Sequence, residues 1–559
     1  MMKYAAVFTA LALAVTTSAA PSLRQELETA LKNSTGEIRL SQPEYRLSEK
    51  LMLRNLDGTV IDGNGARIVM TKLNETIRLV DCRNVTLKNF TIDYDPLPFT
   101  QGVVTGISPD LRKIRFRVDA GYPRLAPEYA NRRIHVFTPD GKFFKHDAPD
   151  VYGDIEIISP ELGICHADRP HKNVKPGDRL ALDCRRDAAV HLARCEKIRL
   201  ESITVYSSPG LVFRARFGQG GDELVNVKIT RGPKPAGAQA ERLLSSSADG
   251  VNFAYLRKGP RIVGCDFSFM GDDGVNLHSV ALPVAQVVDA DRFDTVRPDH
   301  AESFPEVVRP GDRIRLLEPG TFAVVGERTI RSFRLSPRGC DEETFRKYYS
   351  HRNFRKWTGY EVTLEPGGPE LKAGLFFDIP AIAANGYEIR DNCFHDHRAR
   401  GVRLMASDGV IENNRFERIK SAAIAVGAEY GYWREAGWVE NVLIRGNTIR
   451  DVGHTMNYDI GSYTSGAISV FCRKDDYSGS FRGNRNITIC DNVIDGCPGA
   501  GIFLYCAEQV LLRNNRLSDT VTSPITPGSR YGFREMRPLW IVNSAGVTSD
   551  AASREEAAR

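Results

Sequence analysis

A phrase of strand-forming residues ending in Asn, Asp or Gly recurs along this chain, and its spacing limits the folds open to it. In the C-terminal half, "DNCF" at 391–394, "NNRF" at 413–416, "GNTI" at 446–449, "DNVI" at 491–494 and "NNRL" at 514–517 share an Asn followed two places on by a strand-like residue. Asn392, Asn414, Asn447, Asn492 and Asn515 are separated by 22, 33, 45 and 23 residues, so two steps equal one repeat and two leave room for loops. Upstream, "CRNVTLKNFTID" at 82–93 mirrors "CEKIRLESITVY" at 195–206. A unit this short cannot bury its apolar face alone and must stack on the next, which makes a solenoid. The runs are rich in Val, Ile and Phe, lack a helical period, and end in residues that tolerate tight bends. A regular Leu framework is missing. The pattern predicts an all-β, right-handed parallel β-helix, with the repeated Asn forming a hydrogen-bonded side-chain ladder.

Two stretches break the repeat, 95–190 and 281–380, and each holds a similar phrase, "VKPGDRLALD" at 174–183 and "VRPGDRIRLLE" at 308–318. Both read as a turn entering a strand, so the interruptions are expected to be β-rich, barrel-like insertions. The solenoid then occupies 21–94, 191–280 and 381–545. The repeat fades after Thr520, and 546–559 reads as a frayed tail.

The first residues, "MMKYAAVFTALALAVTTSAAPS", carry one Lys, an apolar run, then Ser18 and Ala20 at signal-peptidase positions. Residues 1–20 are expected to be a signal peptide, giving a periplasmic, cell-surface or secreted protein. The apolar run is too short to span a bilayer, and no later segment is long enough. A net charge of +5 over 559 residues, with no basic block, gives no reason to expect nucleic acid or a membrane surface. Eleven cysteines at scattered spacings, with no CxxC pair, argue against a zinc motif or a dense disulfide framework. Within the repeats a Cys reads as a small buried hydrophobe.

"FMGDDGVNLHS" at 269–279 does not fit a plain strand, because Asp is depleted in strands and Asp272 and Asp273 repel each other. "DGVNF" at 249–253 matches "DGVNL" at 273–277, so Asp249 and Asp273 lie 24 residues, one coil, apart. Stacked coils are about 4.8 Å apart. Asp272 can join them only at a bend, which Gly271 and Gly274 are expected to permit. Three neighbouring carboxylates cannot all ionise comfortably, so one should hold a proton, as acid–base catalysis requires. Aligning the "GV" of 401–402 with those of 250–251 and 274–275 puts Arg400 in the same column. Asn276, His278, Arg400, Lys420, Glu429 and Trp433 are candidate substrate contacts. Trp433 and Trp438 lie in "GAEYGYWREAGW" at 427–438, and either ring could stack on a sugar.

Asp249, Asp272-Asp273 and "RIK" at 418–420 resemble the polygalacturonases of glycoside hydrolase family 28. That resemblance implies a β-helix and inversion, with Asp272 as acid and Asp249 and Asp273 positioning water. The family's G-H-G falls at Ala399-Arg400-Gly401, so its His is missing. "IDYDPLPFTQG" at 92–102 and "GDDGVNLHS" at 271–279 are more similar to glycoside hydrolase family 110, the exo-acting α-1,3-galactosidases. This resemblance spans most of the chain and implies an inverting enzyme without metal or cofactor. It also implies that terminal α-1,3-linked galactose is removed from glycans of blood-group B type. A polygalacturonase-like hydrolase of acidic polysaccharide and a non-catalytic, carbohydrate-binding adhesin are the alternatives.

Overall fold

The computed structural model describes residues 21–33, 36–298, 304–350, 354–454, 466–523 and 536–553; the expected signal peptide lies outside them. Each coil adds up to three short strands to three parallel ladders, two of them joined by the long strands Val60–Met70 and Thr86–Tyr94. Period-two alternation turns one aliphatic side chain per strand inward, and register stacks them. One column runs Ile61, Leu87, Leu200, Leu224, Ile262, Ile389, Ile411, Ile444, Ile489 and Leu512. Burying each such side chain stabilises the fold by roughly 1.5–3 kcal/mol.

The Asn ladder is present. Asn414 Oδ1 accepts from the backbone N–H (3.0 Å) and Nδ2 (2.9 Å) of Asn392. The same pair of bonds repeats from Asn414 to Asn447, Asn447 to Asn492 and Asn492 to Asn515. Each Nδ2 also donates to a core carbonyl, such as Ile389 O for Asn414 at 2.9 Å.

The first insertion is a closed antiparallel barrel of six strands between Phe99 and Asp183. The coils on either side of it are adjacent, with Thr86 paired to Arg199 and Thr91 to Thr204. The second insertion folds as seven antiparallel strands between Leu282 and Asp378, in an order that runs from Leu282–Pro283 to Gln286–Asp289. Its long strand Val324–Leu335 pairs with Arg313–Leu317 through its first half and with Trp357–Leu364 through its second, which bends the sheet. Both "PGDR" phrases make the same turn: Asp178 accepts the Lys175 N–H (2.8 Å) and Asp312 the Arg309 N–H (2.7 Å).

The coils run past 545, into the stretch expected to be a frayed tail. Leu539–Val542 and Ala545–Ser549 extend two of the ladders, and the buried Ser553 caps Asn515. The last coil was hard to read because its residues lack the Asn phrase. Among the described residues no helix is long and apolar enough to cross a membrane.

Candidate active site

Val251, Val275 and Val402 are in register on adjacent strands, so Asp249, Asp273 and Arg400, each two residues earlier, form one column at the strand entrances. Gly250, Gly274 and Gly401 lie between. A Cβ on Gly274 would sit 2.2 Å from Gly401 O, and one on Gly250 2.7 Å from Gly274 O. Gly271 is packed in the same way against Ser247 O, at 2.7 Å. These glycines are needed for space between coils rather than to permit the bend; the left-handed residue there is Phe269 (φ 57°). The bend does turn Asp272 and Asp273 into one cavity.

That cavity is about 570 Å³. Asp249, Asp272, Asp273, Asn252, Asn276 and Arg400 form its floor; Arg133, Tyr152 and Arg185 come from the first insertion; Tyr432, Trp433 and Glu435 close the other side. One carboxylate oxygen from each of Asp249, Asp272 and Asp273 lies within 4.8 Å of the other two. A trio that close has the donor set of a hard cation site, but arginines already supply positive charge.

Asp272 takes Arg185 Nη2 at 2.8 Å, Arg398 Nη1 at 3.2 Å and Arg133 Nη1 at 3.4 Å. Burial would raise its pKa, yet the charges of Arg185, Arg398, Arg133 and Arg400 outweigh burial and hold it well below the usual carboxylate range. Asp273 accepts the Arg400 N–H at 2.9 Å and its Nη2 at 2.7 Å. Burial and the Asp272 charge nonetheless push Asp273 up against Arg400. Asp249 takes Asn252 Nδ2 at 2.7 Å and pairs with no arginine among the described residues. Burial, then the charges of Asp272 and Asp273, push it up to about 7. The expectation that Asp272 is the carboxyl kept protonated by its neighbours therefore fails for the free site. Burial and the two neighbouring carboxylates favour the protonated form of Asp249 instead.

Three expected contacts stand elsewhere. His278 is buried behind Glu435 (3.8 Å), with its Nδ1 2.8 Å from Ser279 O, and burial lowers its pKa to about 4. Lys420 is buried outside the cavity lining and donates to Ala148 O of the first insertion at 2.7 Å. Glu429 is buried and accepts the Tyr432 and Trp433 N–H groups at 2.9 and 3.0 Å, which fixes the aromatic loop. Trp433 lines the cavity and is 39% exposed. Trp438 is core, donating its indole N–H to Phe322 O at 2.9 Å. Asn276 and Arg400 line the cavity as expected. Asn276 Oδ1 is buried there without a hydrogen-bond partner.

Sequence reasoning missed Arg133, Arg185 and Arg398. Arg133 is held by Asp183 (2.8 Å) and Ser247 O (2.7 Å), and Arg398 by Asp150 and the Tyr152 hydroxyl (2.7 Å). The paired "RR" at 132–133 and 185–186, at the barrel's edges, was the available signal.

Residues 381–534 match the family described as "Right handed beta helix region". An α-1,3-galactosidase B of Bacteroides thetaiotaomicron is 25% identical, covering 85% of this chain and 76% of its own. An α-1,3-galactosidase A of Bacteroides fragilis is also 25% identical, covering 86% and 77%. The α-1,3-galactosidases are homologues of this chain. The likeness takes in both insertions as well as the coils, as its coverage requires. Among solved structures, the A-module of the mannuronan C-5 epimerase AlgE4 from Azotobacter vinelandii is 11% identical over 94% of each chain, with a TM-score of 0.39.

Proposed function

We propose that this chain is an exo-acting glycosidase that hydrolyses terminal α-1,3-linked galactose, with glycans of blood-group B type as substrates. The observation that carries this reading is the trio Asp249, Asp272 and Asp273 on the floor of a sugar-sized cavity, in a homologue of α-1,3-galactosidases. The first insertion and the aromatic loop wall that cavity on two sides, which suits a chain end. Asn276 Oδ1 is free to accept a sugar hydroxyl, and Trp433 offers a ring to the apolar face of galactose.

The mechanism follows the resemblance. Asp272, with 15% of its side chain exposed against 2% for Asp273, stands nearest the mouth, where a leaving sugar would lie. It protonates the departing glycosidic oxygen while Asp249 and Asp273 hold and deprotonate water, with inversion. The trio titrates as a unit, so its one proton passes from Asp249 to Asp272 when substrate lifts Arg185, the most exposed of the three arginines on Asp272.

A second reading has its own support. Inverting sites separate acid and base by roughly 6.5–9.5 Å, while retaining sites hold their carboxyls about 5–5.5 Å apart. One oxygen of each carboxylate lies within 4.8 Å of the others here, and such crowding favours the shorter gap. Asp272, held ionised, would then be the nucleophile and Asp249 the acid. Proton NMR of the first product formed from a Gal-α-1,3-Gal oligosaccharide separates the two: β-galactose supports inversion and α-galactose supports retention. No galactose from branched or linear α-1,3-galactosides would overturn the substrate assignment. Export by residues 1–20 belongs to the same proposal, and a mature N-terminus near Pro21 on the expressed protein would support it.

A further inference from the structure

A second cluster, apart from the carboxylate trio, joins the first insertion to the β-helix. His146 comes from the insertion, whereas Asp451 and His454 follow the strand Thr448–Arg450 of the coils. One ligand atom of each lies within 4.8 Å of the others. The two imidazoles are stacked, with centroids 4.1 Å apart and planes 19° from parallel. Asp451 reaches both: Oδ1 is 2.7 Å from His454 Nε2, and Oδ2 is 3.7 Å from His146 Nδ1. The two imidazoles are partly buried, the Asp451 side chain is half exposed, and His146 Nε2 is shielded from solvent without a hydrogen-bond partner.

We propose that His146, Asp451 and His454 bind a divalent transition-metal ion of the zinc class and that this ion clamps the barrel onto the coils. Two imidazoles and one carboxylate select such an ion over magnesium or calcium, which prefer all-oxygen sites. Bonds of about 2.0–2.1 Å at tetrahedral angles put ligand atoms roughly 3.3 Å apart, so the three ligand atoms, within 4.8 Å of one another, converge on one ion once the stacked rings turn out of parallel. Three protein ligands leave one position for water. The clamp has a link to catalysis. The segment that carries His146 also presents Ala148 O to Lys420 and Asp150 to Arg398, and Arg398 holds Asp272. The ion therefore fixes the segment from which Asp150, as a positioning residue, orients Arg398.

The test is Co²⁺ titration of the full chain after dialysis against a chelator, read by visible absorption and thermal midpoint. One equivalent should bind with the d–d bands of four-coordinate Co²⁺, raise the midpoint by several degrees, and be displaced by Zn²⁺. His146→Gln and His454→Gln should each weaken binding at least tenfold and lose the thermal shift, while Asp249→Asn keeps both. Should either Gln variant misfold by circular dichroism, Asp451→Asn provides the same readout. Failure of the wild-type chain to bind Co²⁺, or equal binding by the His variants, overturns the proposal and leaves a stacked His pair with one His–Asp hydrogen bond.

Discussion

The same solenoid register produces two columns of stacked polar residues, and they behave in opposite ways. In the Asn ladder, each amide carries both a donor and an acceptor, so every coil satisfies the one beside it. In the carboxylate column, ionised side chains carry acceptors alone, so stacking Asp249 on Asp273 adds repulsion. The fold answers with Arg400 in the next coil and with Arg133 and Arg185 brought in by the barrel, and burial pushes Asp249 up to about 7. Stacking identical residues builds a rigid spine when they are amides. With carboxylates it builds a reactive site.

This contrast can be broken from either side. The largest effect is expected from the reactive column: Asp272→Asn should lower kcat on α-1,3-galactosides by roughly 10²–10⁴-fold, the range for general acid–base catalysis. Inversion with Asp272 as acid predicts that an activated aryl galactoside, whose leaving group needs no proton, restores much of that loss. On the amide side, Asn447→Ala removes the acceptor for two Asn414 donors and one donor to Ile411 O. It should destabilise the protein by about 2–4 kcal/mol, the scale of several buried unsatisfied groups, measured by denaturant unfolding.

A milder change sharpens the contrast. Asp249 has a folded pKa raised to about 7 from the ordinary carboxylate value. Folding therefore binds a proton between about pH 4 and pH 7, and the group's contribution to stability is lost as pH rises through 7. Asp249→Asn removes that liability, so its thermal midpoint should exceed the wild-type value by more at pH 8 than at pH 5. The smallest effect belongs to the rim. Trp433→Ala should raise KM roughly threefold to tenfold with little change in kcat, as expected for the loss of an aromatic contact of about 0.5–1.5 kcal/mol.

What the sequence made legible followed from periodicity. The coils, the Asn spine, the paired turns of the insertions and the alignment of Asp249, Asp273 and Arg400 all depend on residues a fixed step apart, and register carries that step into space. Residues brought in by the barrel have no such step. Arg133 and Arg185 lie 139 and 87 positions before Asp272 and reach it only because the barrel docks over the cavity. Their charge holds Asp272 ionised, against the acid role that the resemblance implies for it. The "IDYDPLPFTQG" phrase marked the family without marking the chemistry. Asp93 is buried beneath Arg67, Ser207 and Arg242, so the phrase locks the exit from the coils into the barrel. Lys420 and Glu429 were polar residues near the right coil, but each is held by backbone and charged partners that a linear pattern does not reveal.

The account turns on one shared proton in the carboxylate trio, and the pH dependence of kcat/KM on an α-1,3-galactosyl oligosaccharide reads it most directly. Activity needs that proton wherever it rests, because one carboxyl must be an acid while another is ionised. The profile should therefore fall above an apparent pKa near 7, the value to which Asp249 is pushed, and Asp249→Asn should remove or shift that limb. A profile that stays level from about pH 6 to pH 9 would contradict the account, because catalysis would then proceed with all three carboxylates ionised.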